Sequence, residues 1–157
     1  MTLSKQQRRK QLRRLIRFYP PFLGAGVRVK HISEDMRTIE VHLPLRFWNR
    51  NYVGTHFGGS LYTMCDPFFM LILINNLGPD YVVWDKAATI RFKKPGKGLV
   101  KAVFHIPAEK IEEIRAHADA QGKIEPLFQT VVTDDQGNVI AEVDKLLYVR
   151  RKKAGTS

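Results

Sequence analysis

Asn51-Tyr-Val-Gly-Thr-His-Phe-Gly-Gly-Ser-Leu-Tyr-Thr-Met-Cys-Asp-Pro-Phe-Phe-Met-Leu-Ile-Leu-Ile-Asn-Asn76 is the stretch on which the reading of this chain turns. A polar, glycine-bearing turn runs into the most apolar segment of the protein, and no polar side chain falls between Phe68 and Ile74. That run is far short of the roughly 20 residues that cross a bilayer, and Asp66 and the Asn75-Asn76 pair bound it. It reads as a buried core helix. It is too apolar for a helix with one solvated face, so other elements must wrap it on most sides.

The start of that helix has two readings. Asp66-Pro67 is a helix-start signature, with Asp as N-cap and Pro at the first helical position. Asp66 is then a cap and carries no chemistry. Alternatively the helix starts at Gly58-Gly59-Ser60, and Pro67 lies in its interior, frees the carbonyl of Thr63 and bends it. Asp66 is then a carboxylate about two turns inside a mostly buried helix, a placement that needs a reason.

Working outward, 157 residues fit a single domain, 1–157, large enough for a real core. The 26 Lys and Arg against 15 Asp and Glu give a net charge of +11, which favours anionic partners and says nothing about fold. The single cysteine, Cys65, excludes an internal disulfide and the four-cysteine metal sites. Neighbours on a helix lie about 100° apart, so Cys65 points away from the direction Asp66 faces and reads as a core residue. A reducing compartment follows, so the expected localisation is cytoplasmic. No apolar segment of signal-peptide length follows the basic N-terminus. His31, His42, His105 and His117 have no metal-ligand spacing with one another, so no metal is expected.

Residues 5–19 place seven Lys and Arg around a narrow stripe of Leu12, Leu15, Ile16 and Tyr19, the spacing of an amphipathic helix that Pro20-Pro21 stops. This basic helix either touches phosphates or headgroups or is a docked helix with a solvated face. The narrow stripe predicts that the fold does not need it. Val27–Ile32 and Thr38–Leu43 alternate and pair as strands, and Pro44–Val53 is an aromatic-bearing loop. Gly78-Pro79 ends the central helix. Strands follow at Tyr81–Lys94 and Leu99–Ile106, then a helix over Ala108–Ala120 closed by Gly122, then a hairpin of Ile124–Thr133 and Val139–Val149. The tail from residue 150 is basic and expected to be disordered. The class is α+β: about six strands form one antiparallel sheet over the apolar helix. One sheet covers one side of such a helix, so either it curls strongly or a second copy helps, which argues for a dimer.

This arrangement resembles the hotdog fold, a curved antiparallel sheet wrapped around a long central helix. The motifs are more specific. Acyl-CoA thioesterases of the phenylacetate-pathway (PaaI) type carry Asn-x-x-Gly-x-x-His-Gly-Gly, an Asp seven residues after the last Gly, and a later strand ending in Arg-Pro and a turn Gly. Asn51, Gly54, Gly58, Gly59 and Asp66 fall in that register, and Arg91-Phe-Lys-Lys-Pro95 with Gly98 matches the later strand. The chain also resembles a related hotdog family of unassigned function, in which Trp84-Asp85-Lys86-Ala87 and Phe57-Gly-Gly59 are typical. The resemblance covers roughly residues 22–150 and leaves the basic helix outside. It has one departure: the family His is Phe57 here, and His56 is displaced by one residue.

The resemblance implies thioester hydrolysis in a homodimer or a dimer of dimers, with coenzyme A entering only as part of the substrate and no other cofactor. Gly58 and Gly59 would bring helix-terminal amides to the oxyanion; the plainer reading is a tight turn into a helix. Asp66 would be general base or nucleophile, acting from the opposite subunit. Asn51 would orient water or the thioester carbonyl, and His56 and Phe57 would contact substrate, although a loop His is commonly just solvated. Lys86, Arg91, Lys93 and Lys94 would meet CoA phosphates, or form a solvated strand face. Two alternatives stand beside this: a hotdog protein that binds an acyl or CoA ligand without turnover, and a basic-helix binder of nucleic acid or membrane surface. No nucleic-acid motif is present, so no nucleic-acid partner is expected.

Overall fold

The computed structural model describes residues 4–153. In chain order they form α1 (Lys5–Arg17), α2 (Pro20–Ala25), β1 (Arg28–Ile32), β2 (Thr38–Pro44), α3 (Gly58–Thr63), α4 (Phe68–Leu77), β3 (Tyr81–Phe92), β4 (Leu99–His105), α5 (Ala108–Gln121), β5 (Lys123–Ile124), β6 (Leu127–Asp134) and β7 (Val139–Arg151). The strands make one antiparallel sheet in the order β1-β2-β4-β6-β7-β3, with the two-residue β5 alongside β7.

The apolar alternation read from the sequence faces one way and meets α4. Ile39, Val41 and Leu43 of β2, Val100, Ala102 and Phe104 of β4, and Val143, Leu147 and Val149 of β7 are all buried, the period-2 pattern of a half-buried antiparallel sheet. Against them α4 buries Phe68, Phe69, Ile72, Leu73 and Leu77. Phe68 sits 5.0 Å from Phe104 and Phe69 sits 5.0 Å from Phe128, ring centre to ring centre. Each such buried aromatic contributes about 1.5–3 kcal/mol relative to exposure. Ile74 stays 41% exposed, so one chain does not enclose the helix.

Three expectations need correction. The long central helix is two helices. The first starts at Gly58, as the second reading has it, but Pro67 splits the helix rather than bending it. Pro67 itself is the N-cap of α4, with no side-chain cap bond, so Asp66 does not cap it. Pro20 and Pro21 end α1 and also begin α2, where a missing N–H is harmless. The basic tail is partly ordered, because Arg150 and Arg151 belong to β7 and pair with Val82 and Tyr81; residues 154–157 of that tail lie outside the described residues.

The stripe of α1 is also more than peripheral. Ile16 is buried and Leu12 packs on the core, whereas Leu15 and Tyr19 are exposed. α1 carries a capping box, in which Ser4 Oγ accepts from the Gln7 amide and Gln7 reaches back to the Ser4 amide.

A charged strand group beneath the central helices

The loop between β2 and α3 is built by its own side chains. Asn49 is buried; its amide group donates to the carbonyls of Ala25 and Pro44, both at 3.0 Å, and its oxygen accepts from the Arg46 N–H. Asn51 folds the turn that follows. Its Oδ1 accepts from the amides of Val53 and Thr55, and its Nδ2 donates to Thr55 Oγ1 and the His56 carbonyl. All polar atoms of Asn51 are thus used within residues 51–56.

His56 is not a solvated loop residue. It is buried, its backbone N–H donates to the Gly96 carbonyl, and its Nε2 lies 3.0 Å from the Gly98 carbonyl, which requires the proton on Nε2. A Cβ on Gly96 would stand 3.0 Å from the imidazole, so glycine lets the turn close on the ring. Burial lowers the His56 pKa, and the bond to Gly98 opposes that. The ring sutures the loop to the β3–β4 turn and leaves Nδ1 buried without a partner among the described residues.

Phe57 precedes α3, and Gly58 and Gly59 supply the first amides of that helix, which have no carbonyl within it to reach. Both glycines sit under aromatic rings. A Cβ on Gly58 would lie 3.0 Å from the Phe92 ring, and one on Gly59 would collide with Phe57. Phe57 itself is exposed.

One turn further, the chain brings four polar side chains together. Tyr62 and Asp66 are four residues apart, and the tyrosine hydroxyl donates to Asp66 Oδ1 at 2.9 Å. Lys145 of β7 donates to the same Oδ1 at 3.0 Å and to the Tyr62 oxygen at 3.2 Å, and it lies 3.3 Å from Asp85 Oδ2 of β3. Lys145 is fully buried, the Asp85 side chain is 21% exposed and that of Asp66 is 48% exposed. Among the described residues Asp66 Oδ2 has no hydrogen-bond partner, while Asp85 Oδ1 is buried and unpaired.

The electrostatics follow from that burial. Burial works against the charge on Lys145, but the bonds to Asp66 and Tyr62 outweigh it and hold the pKa above the ordinary lysine value. Burial raises the pKa of Asp85, and Lys145 only partly offsets this. Burial also raises Tyr62, with Lys145 pulling it down and Asp66 pushing it up. Cys65 is buried and its thiol is pushed up to about 12 by burial, which leaves it a core residue as expected and no nucleophile.

Sequence reasoning missed Lys145, Tyr62 and the charge role of Asp85. The signal for Lys145 lies in plain view: Val143, Lys145, Leu147 and Val149 occupy alternate, buried positions of β7. The basic residues assigned to phosphates are engaged elsewhere. Lys86 pairs with Glu125 at 2.7 Å, Arg91 with Asp144 at 2.6 Å and Glu142 at 3.3 Å, Lys93 with Glu142 at 3.3 Å, and Lys94 donates to Asn138 at 3.1 Å. No group of three or more His, Cys, Asp or Glu among the described residues is placed to hold a metal ion. No described helix is long and apolar enough to cross a membrane.

Similar proteins identify this fold, and a family model identifies the family. A protein of unknown function from Pseudomonas aeruginosa, described as a probable thioesterase, is 24% identical over 96% of this chain and 98% of its own, with a TM-score of 0.83. The PaaI protein of the Escherichia coli phenylacetic acid degradation operon is 15% identical over 92% of each chain, with a TM-score of 0.64. A hypothetical thioesterase from Streptococcus pneumoniae, solved with coenzyme A, is 16% identical over 88% of this chain and 99% of its own, with a TM-score of 0.59. No curated protein matches the chain. The fold is the hotdog fold, as the PaaI-type motifs implied. The family match runs over residues 8–149, so most of α1, expected to lie outside the shared region, lies within it. With nearly its whole length matched, the chain belongs to the family described as the domain of unknown function DUF4442.

Proposed function

We propose that the protein hydrolyses an acyl-CoA thioester or a closely similar thioester. The observation that carries this is the state of Asp66. One carboxylate oxygen is anchored by Tyr62 and Lys145, and the other has no partner among the described residues, on a half-exposed side chain. A carboxylate held on one side and open on the other suits a general base or nucleophile. As base, Asp66 takes a proton from water while the water oxygen adds to the thioester carbon. The C–S bond then breaks, and the proton passes to the departing thiolate. The negative oxygen formed in between is stabilised by the amides of Gly58 and Gly59 at the start of α3, contributed by the opposite subunit. Asn51 acts on this site through the loop it folds. His56 and Phe57 shape the acyl side, and Lys86, Arg91 and Lys94 reach phosphates only by exchanging their present partners.

The reading requires a homodimer or dimer of dimers. β3 ends the sheet with one neighbour, and Trp84, Lys86–Thr89, Arg91 and Phe92 are exposed along it. Such an edge is a template for pairing with another chain. The reaction uses no cofactor beyond the CoA of its substrate; a CoA-bearing ligand is in keeping with the relative solved with coenzyme A. The free, buried Cys65 suits the cytoplasm. Assaying thiol release by the purified protein across short, long and aromatic acyl-CoAs tests the proposal: turnover of at least one supports it, and none across the panel rejects it.

A second reading has its own observation. Phe57 stands where the thioesterases carry His, and the neighbouring His56 ring is spent on Gly98. This favours a hotdog protein that binds an acyl-CoA without cleaving it, for which the same panel would give binding but no thiol.

A further inference from the structure

Positive charge is unevenly spread over this molecule. Residues 1–33 contain nine Lys and Arg and no acid, whereas the other 17 basic residues nearly balance the chain's 15 acids. Outside that stretch Arg37, Lys86, Arg91, Lys93, Lys110 and Arg115 all pair with carboxylates. Among the described residues, no carboxylate pairs with Arg13, Arg14, Arg17, Arg28 or Arg46.

Those five arginines line one groove of about 1080 Å³ between α1, α2, β1 and the loop after β2. Its base is apolar, with Ile16, Phe22 and Val27 buried. Its lip is apolar and open: Phe18 is 65% exposed, Leu23 56% and Trp48 51%. Leu15 and Tyr19 are exposed too, and Leu15 lies three and four residues before Phe18 and Tyr19 where α1 ends. The Arg17 guanidinium lies over the Phe18 ring at 5.8 Å, so charge and apolar surface are interleaved.

Large apolar side chains beside unpaired arginines are the composition of an interfacial surface. Long arginine stems keep the charge at headgroup level while the apolar groups beside them enter the acyl boundary. A nucleic acid would use the arginines and leave Leu15 and Leu23 in water; a small anion would need neither. We propose that this face docks the protein on an anionic phospholipid surface, with the five arginines on headgroup phosphates and Leu15, Phe18, Leu23 and Trp48 in the acyl boundary. It stands apart from the thioester site, since none of Tyr62, Asp66, Asp85 and Lys145 lines this groove.

Vesicle sedimentation of the full-length protein tests this. Vesicles of phosphatidylcholine with about 30% phosphatidylglycerol should bind it and pure phosphatidylcholine vesicles should not, with the binding falling as salt rises. Each basic residue near the surface is worth about fivefold in partitioning, so Arg13→Gln with Arg17→Gln should lower it about 25-fold. Phe18→Ser with Leu23→Ser should lower it at least about tenfold. All four positions are changed on the surface, and circular dichroism checks that the fold is kept. In a Trp84→Phe background, Trp48 emission should shift to the blue on binding. No partitioning onto the anionic vesicles, or equal partitioning onto neutral ones, overturns the proposal. So does unchanged binding by the Phe18/Leu23 variant, and if single-stranded RNA then competes, the face is a nucleic-acid surface instead.

Discussion

Replacing Lys145 by Met tests whether the group under α3 is held together as described. The lysine is fully buried and serves two carboxylates of different exposure. Asp66 is half-exposed and also accepts from Tyr62, so water replaces much of what it loses. Asp85 is mostly buried, its Oδ1 is already unpaired, and Lys145 is its one ion-pair partner among the described residues. The cost therefore falls on Asp85. Removing one member of a buried ion pair costs about 3–5 kcal/mol. Met fits the inward position between Val143 and Leu147 and ends the desolvation of the ammonium, which brings the expected net loss to about 2–3 kcal/mol at neutral pH. The pH dependence has a definite sign. Burial already raises the Asp85 pKa and Lys145 lowers it, so the variant raises it further. An acid whose folded pKa lies above its unfolded pKa costs stability at high pH, and that cost disappears as pH falls through the folded value. Urea denaturation at about pH 7.5 and about pH 5 reads both effects as shifts in midpoint at constant slope. The Lys145→Met deficit should shrink at the lower pH, and adding Asp85→Asn should recover most of it at the higher. A Lys145→Met protein as stable as the parent at neutral pH, or equally destabilised at both, refutes this electrostatic reasoning.

Ile16→Ala should cost about 2–4 kcal/mol by denaturation, because Ile16 is buried where α1 meets the core; a loss below about 0.5 kcal/mol would mark α1 as peripheral after all. Gly96→Ala should cost about 1–3 kcal/mol, since the new methyl stands 3.0 Å from both His56 and Ile140, and an NMR shift of the His56 ring protons should accompany it. Light scattering on a sizing column should give twice the chain's 18.1 kDa or a higher even multiple, and a monomer at micromolar concentration would remove the shared-site geometry.

What could be read from the sequence was what local pattern carries. The run Phe68–Ile74 announces a wrapped core helix, and the alternation at Thr38–Leu43 and Leu99–Ile106 gives strands that pair in register. Long-range polar partners were not legible in that way. Lys145 lies 79 residues from Asp66, and nothing in the local sequence says that an inward lysine will meet a carboxylate there. His56 illustrates the same limit, because Gly96 and Gly98, which bury it, lie some 40 residues away on another turn. Pro67 shows a third kind. The two readings of Asp66 differed in where a helix starts, and the chain resolves them by making two short helices with Asp66 in the break, where neither capping nor helical periodicity fixes its direction.

The most direct measurement is turnover by Asp66→Asn beside the parent on whichever acyl-CoA the parent cleaves best. Asn keeps the shape and can still accept from Tyr62 and Lys145, so fold and acyl-CoA binding should persist. It cannot take a proton from water or attack the thioester, so kcat should fall by at least about 10². Hydrolysis by Asp66→Asn at the parent rate would contradict the catalytic assignment and leave an acyl-CoA-binding hotdog protein.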